Sequence, residues 1–114
     1  MLVSKNELNH YNWGNNCDGW CLLDTNELSV IEELMLPGTA ETMHYHKKAT
    51  QLFYILTGEA TFTIDNKVLD SKQGECVKIL PNQIHKIENN SSADLRFLLV
   101  SQPKAQQDRF EITI

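Results

Sequence analysis

Turn-forming residues interrupt this chain so often that a long helix has no room to form. Residues 12–19 and 89–93 are dense in Asn, Asp, Gly and Ser, and Pro37, Gly38, Gly58, Gly74, Pro81 and Pro103 punctuate the remainder. Gly favours backbone conformations that other residues resist, and Pro withdraws an N–H donor, so each is a natural stop for a secondary-structure element. Between the stops lie short runs with β-branched and aromatic content: 28–36, 52–56, 60–64, 68–69, 76–80, 85–88, 95–100 and 110–114. No window of about 11 residues carries a helical period. Residues 2–8 suit at most a brief helix or turn. The breaks at Thr57-Gly58-Glu59 and Asp65-Asn66-Lys67 read as hairpin turns. The expectation is an all-β sandwich or barrel.

A length of 114 residues suits one domain, 1–114. No apolar run reaches the roughly 18 residues of a membrane span. Residues 1–10 hold one lysine and no apolar stretch, so no secretory signal is expected and the expected compartment is the cytoplasm. The formal charge is −5 with no cluster of Lys and Arg, which argues against nucleic-acid binding; Lys47 and Lys48, the one adjacent basic pair, read as a solvated loop. The thiols, Cys17, Cys21 and Cys76, are odd in number and lack zinc-knuckle or redox spacing. They read as reduced structural cysteines.

The chemistry-bearing feature is the histidine set: His10, His44, His46 and His85. On a strand, residues i and i+2 face the same way, so His44-Tyr45-His46 would present two imidazoles side by side, as ligands from one strand must be. Core packing is the other reading of such a pair. His10 lies outside this pattern and reads as a solvated or turn histidine.

The flanks carry a resemblance. Segment 38–58, GTAETMHYHKKATQLFYILTG, resembles the first cupin motif, a Gly, then His-x-His, then Glu, then Gly, with every spacing kept but Gln51 at the usual Glu. Segment 74–89, GECVKILPNQIHKIEN, resembles the second motif: Gly74, His85 and Asn89 fall in register, Leu80 stands at the usual Pro, Asn82 at the usual Gly, and Pro81 is displaced by one place. The 15 residues between the motifs match the smallest single-domain members of the RmlC-like cupin superfamily. The resemblance implies a double-stranded β-helix, or jelly-roll, barrel over 28–114, with an N-terminal arm and edge strand over 1–27. It also implies one divalent metal ion held by His44, His46, Gln51 and His85. Three imidazoles suit zinc, iron, nickel, copper or manganese.

A neutral Gln51 leaves such a site nearer a charge of +2 than a carboxylate would, and so favours an anionic substrate oxygen. If Gln51 points inward, Phe53 and Ile55 share its face and would line a substrate pocket. Arg96 is either a grip for an anionic substrate or a solvent-facing residue. Tyr11, Trp13 and Trp20 would cap a barrel face or an interface. Glu32, Glu33 and Glu41 could reach the barrel mouth without an assigned role. Segments 101–103 and 108–110 resemble stretches of small cupins that have no assigned role.

The family's range implies a metal-dependent isomerase, lyase or dioxygenase acting on a small polar molecule such as a sugar derivative or small acid. The alternatives are a non-catalytic cupin binding a sugar-like ligand and a barrel whose histidines only pack. A homodimer is expected, since an all-β chain must protect its strand edges. Metal affinity is expected to fall below about pH 6, where ordinary imidazoles protonate.

Overall fold

The computed structural model describes residues 1–112. Among these residues, eleven strands form two antiparallel sheets. The six-stranded sheet runs β1 (His10–Trp13), β2 (Cys17–Asp24), β3 (Ser29–Met35), β10 (Leu95–Gln102), β5 (Thr50–Thr57), β8 (Cys76–Ile79). The five-stranded sheet runs β11 (Phe110–Glu111), β4 (His44–Tyr45), β9 (His85–Glu88), β6 (Glu59–Ile64), β7 (Lys67–Lys72). No helix among the described residues is long and apolar enough to cross a membrane. This is the all-β jelly-roll architecture that the strand rhythm and the motif resemblance implied.

Two differences from the expectations have local causes. Residues 10–24, dense in turn formers, contain a full hairpin: β1 and β2 pair through Trp13↔Cys17 to His10↔Trp20. The arm expected over 1–27 thus adds two strands, with β1 at the edge. Thr57-Gly58-Glu59 is no hairpin turn. It carries the chain from β5 in one sheet to β6 in the other. Gly58 has φ +87, and a Cβ there would lie 2.5 Å from the Asp94 carbonyl oxygen. The crossover therefore needs both glycine's dihedral freedom and its lack of a side chain. The other break, Asp65-Asn66, is a hairpin turn. Both residues have positive φ, 48 and 69, as the two-residue turn best matched to strand twist requires.

The six-stranded sheet turns one register of side chains inward. Val77 and Ile79 (β8), Phe53 and Ile55 (β5), Leu95 and Phe97 (β10), and Met35 (β3) pack on Phe62 and Ile87 of the facing sheet. Phe53 stands at the middle, 5.1 Å from the Phe62 ring in a T-shaped contact and 5.4 Å from Phe97. Burying each such side chain stabilises the fold by roughly 1.5–3 kcal/mol. Asn89 ties the strand ends together. It is fully buried, its amide donates to the carbonyls of Met35 and Ala93, and its Oδ1 accepts from Ser91. The second-motif position where Asn82 replaces Gly has φ 70, and Asn is among the few other residues that adopt this conformation readily.

Candidate metal centre

His44 and His85 face each other across the β4–β9 pair, and His46 follows directly after β4. All three are buried. One ring nitrogen of each lies within 4.8 Å of the others. The remaining nitrogens are already engaged. Nδ1 of His44 bonds the Thr42 carbonyl at 2.8 Å, Nδ1 of His46 the Asp108 carbonyl at 2.7 Å, and Nδ1 of His85 the Gln83 carbonyl at 2.9 Å. A carbonyl only accepts, so each Nδ1 carries the proton and each Nε2 keeps its lone pair. Outer hydrogen bonds of this kind fix ring orientation and raise ligand basicity.

Gln51 reaches the same cavity from β5, in a cross-strand row with Ser101 of β10. Its amide nitrogen donates to Ser101 Oγ at 3.0 Å. Its Oε1, together with Nε2 of His46 and Nε2 of His85, is buried with no hydrogen-bond partner among the described residues. Buried polar atoms are almost always satisfied, and orphaned lone pairs in and beside a three-histidine cluster fit a cation. The donor set, imidazole nitrogens with one amide oxygen, accordingly fits a divalent metal. Of the four residues singled out in the sequence, the three histidines form one cluster, and Gln51 lines the cavity with His44 and His46.

Burial dominates the titration of the histidines. It draws His44 down to about 3 and His85 to about 4 from the usual 6.5, and lowers His46 as well. The other imidazoles and Arg109 push in the same direction. The neutral rings of His44 and His85 therefore persist well into the acid range, and burial favours the neutral form of His46 too.

The cavity, about 720 Å³, is large enough for a small organic ligand. Phe53 lines it. Ile55 does not; it is fully buried in the core. Of the two readings of Arg96, the pocket grip is excluded. The residue sits on the opposite face of β10 from Leu95 and Phe97, outside the cavity, 3.3 Å from Glu32. Strand alternation put it there, and only the inward phase of β10 reaches the site.

Other charged groups take its place. Glu33, Glu41 and Arg109 line the cavity. Glu41 accepts the Ile87 amide at 3.1 Å, and burial raises it to about 8 despite Arg109, whose Nη1 lies 3.7 Å away. Glu33 accepts the Tyr11 hydroxyl at 2.9 Å, and burial raises it to about 7. Gly19 makes that bond possible. It pairs with both Tyr11 and Glu33, and a Cβ on it would lie 2.2 Å from Tyr11 Cζ. The sequence placed Tyr11 as a cap and left Glu33 unassigned, because their meeting depends on a glycine in the strand between them.

A family model for the cupin domain matches residues 31–101. The uncharacterized protein MJ1618 of Methanocaldococcus jannaschii is 32% identical over 84 residues, 74% of this chain and 67% of that protein. An oxalate-binding protein of Thermotoga maritima is 34% identical over 64 residues, 56% of this chain and 53% of its own length. Among solved structures, a predicted oxalate decarboxylase from Thermotoga maritima superposes with a TM-score of 0.84 and 25% identity, covering 91% of this chain and all of that one, 100%. KdgF from Halomonas sp. shares the fold with a TM-score of 0.78 and 13% identity, covering 86% of this chain and 90% of its own. The family match runs from Ile31 in β3 to Ser101 in β10 and takes in His44, His46, Gln51 and His85, so the chain belongs to the cupin family.

Proposed function

We propose that this cupin carries out a metal-dependent reaction of the lyase type on a small organic acid. The observation that carries the reading is the set of orphaned, buried donor atoms on His46, His85 and Gln51, of which His46 and Gln51 line an open cavity. A divalent metal bound there supplies Lewis-acid polarisation of an oxygen ligand. Because Gln51 is neutral, the metal's charge stays undiminished by the protein, which favours an anionic partner. The chain's own groups do the rest. Phe53 and Leu99 keep part of the cavity apolar, Arg109 offers a cation, and Glu33 stands ready to hold or release a proton near neutral pH. The likeness to an oxalate-binding protein and to a predicted oxalate decarboxylase makes oxalate the first acid to try.

That same likeness favours a second reading, a cupin that binds a small acid without transforming it. One experiment separates the two. The protein is loaded with zinc, nickel, manganese or iron(II), and metal content, oxalate binding by calorimetry and release of formate and carbon dioxide are measured. About one equivalent of metal is expected, absent in His44→Ala with the fold kept, together with metal-dependent oxalate binding. Turnover establishes the enzyme; tight binding without turnover establishes the binding protein. No binding of oxalate or of other small acids by any metal-loaded form overturns both.

A homodimer is part of the proposal. The outer face of the six-stranded sheet carries a contiguous apolar row, Val30–Val100–Leu52, beside Leu98–Tyr54, and Leu52 and Tyr54 are exposed. Exposed apolar patches of this kind commonly mark interfaces.

A further inference from the structure

Residues 105–111 run past the mouth of the cavity, and Ala105, Gln106, Gln107, Arg109 and Glu111 form part of its wall. Asp108 hooks this segment down. Its carboxylate accepts three successive backbone amides, Lys47 at 3.1 Å, Lys48 at 3.0 Å and Ala49 at 3.0 Å, in the loop that follows His46. Its own carbonyl accepts Nδ1 of His46. One residue thus ties the segment to the loop and sets a ring of the centre. The next residue, Arg109, carries the only Lys or Arg side chain in the cavity lining. Its carboxylate neighbours among the described residues are Glu41 at 3.7 Å and Glu111 at 3.6 Å. Both are loose ion pairs, which leave its fork locked to neither carboxylate. An arginine fork held only loosely at the wall of a cavity can turn to match a ligand carboxylate bidentately.

We infer that residues 105–111 are the specificity element of this site: Arg109 takes a carboxylate of the ligand, and Asp108 is the positioning residue that holds both the segment and the His46 ring. The inference rests on the proposed small-acid function. It goes further in assigning recognition to a segment outside the matched family region of 31–101.

The test uses the full chain loaded with Co²⁺, whose absorption reports ligand geometry, and oxalate as the probe. Arg109→Gln is expected to bind Co²⁺ as the wild type does and to lose oxalate affinity by about 10- to 100-fold, the scale of a lost hydrogen-bonded charge contact. Arg109→Lys, which keeps the charge without the fork, should regain part of it. Asp108→Ala is expected to lower Co²⁺ affinity by roughly 10- to 100-fold and to alter the Co²⁺ spectrum, as outer-sphere substitutions do. Asp108→Asn, which keeps one accepting oxygen, should recover much of both and guards against an alanine variant that fails to fold. Oxalate binding unchanged in Arg109→Gln, or Co²⁺ affinity and spectrum unchanged in Asp108→Ala, overturns the inference alone. A Co²⁺-loaded wild type that binds no small acid overturns the proposed function, and the Arg109 role with it.

Discussion

Gln51 decides the charge of the centre. Ser101 holds its amide nitrogen and leaves its oxygen to the cavity. Gln51→Glu should therefore raise metal affinity, because a carboxylate is the stronger donor, and lower affinity for an anionic ligand, because the net positive charge falls by one. Metal and oxalate titrations of the two forms check both directions; a parallel rise in both affinities would contradict the charge argument. Glu33 offers a pH signature of its own. Burial raises it from 4.5 to about 7, so between those values the folded protein holds a proton that the unfolded chain has released. The stability from this group is complete below pH 4.5 and is lost as pH rises through 7. Glu33→Gln cannot ionise, so the wild type should melt progressively lower relative to it between about pH 5 and pH 8. Melting curves that shift in parallel would show that Glu33 does not titrate in this window.

Among the elements, the β5–β6 crossover is the most exposed to a single change. Gly58→Ala meets positive φ and a carbonyl oxygen 2.5 Å from the new Cβ, so it should lower stability by roughly 1–3 kcal/mol in a denaturant titration. A neutral result would show that the crossover relaxes freely. The same glycine marks where local reading ran out. Turn chemistry announced a reversal at residues 57–59, but whether the next strand rejoins its sheet or crosses to the other depends on partners far along the chain. Strands β3, β5, β6, β8, β9 and β10 were legible, because each runs between turn signals and alternates as a half-buried strand must. The β1–β2 hairpin was hidden by its own polar turn. At the site, the pairing of His44 with His46 was legible from strand alternation, and Gln51 and His85 from the resemblance to the two cupin motifs. Glu33, Asp108 and Arg109 were not, since what places them is pairing across 60 residues for Asp108 with Lys48 and 22 for Tyr11 with Glu33.

For the whole molecule, the outer face of the six-stranded sheet bears on assembly. Sedimentation velocity should give a dimer mass, and Tyr54→Lys, which sets a charge in the exposed apolar patch, should shift it toward the monomer. A monomer mass for the wild type would remove the proposal. The bond from His46 to Asp108 spans 62 residues and has a consequence in time as well as in space. A chain emerges N-terminus first, and its contacts form only once both partners exist. Every donor atom of the centre is present after His85, yet the acceptor that orients the His46 ring arrives only with Asp108. The centre is therefore completed only after Asp108 has been made, and not when its last donor residue, His85, appears. A chain cut after residue 104 would hold all four candidate donors and lack the acceptor that orients the His46 ring, so it should bind metal more weakly than the full chain.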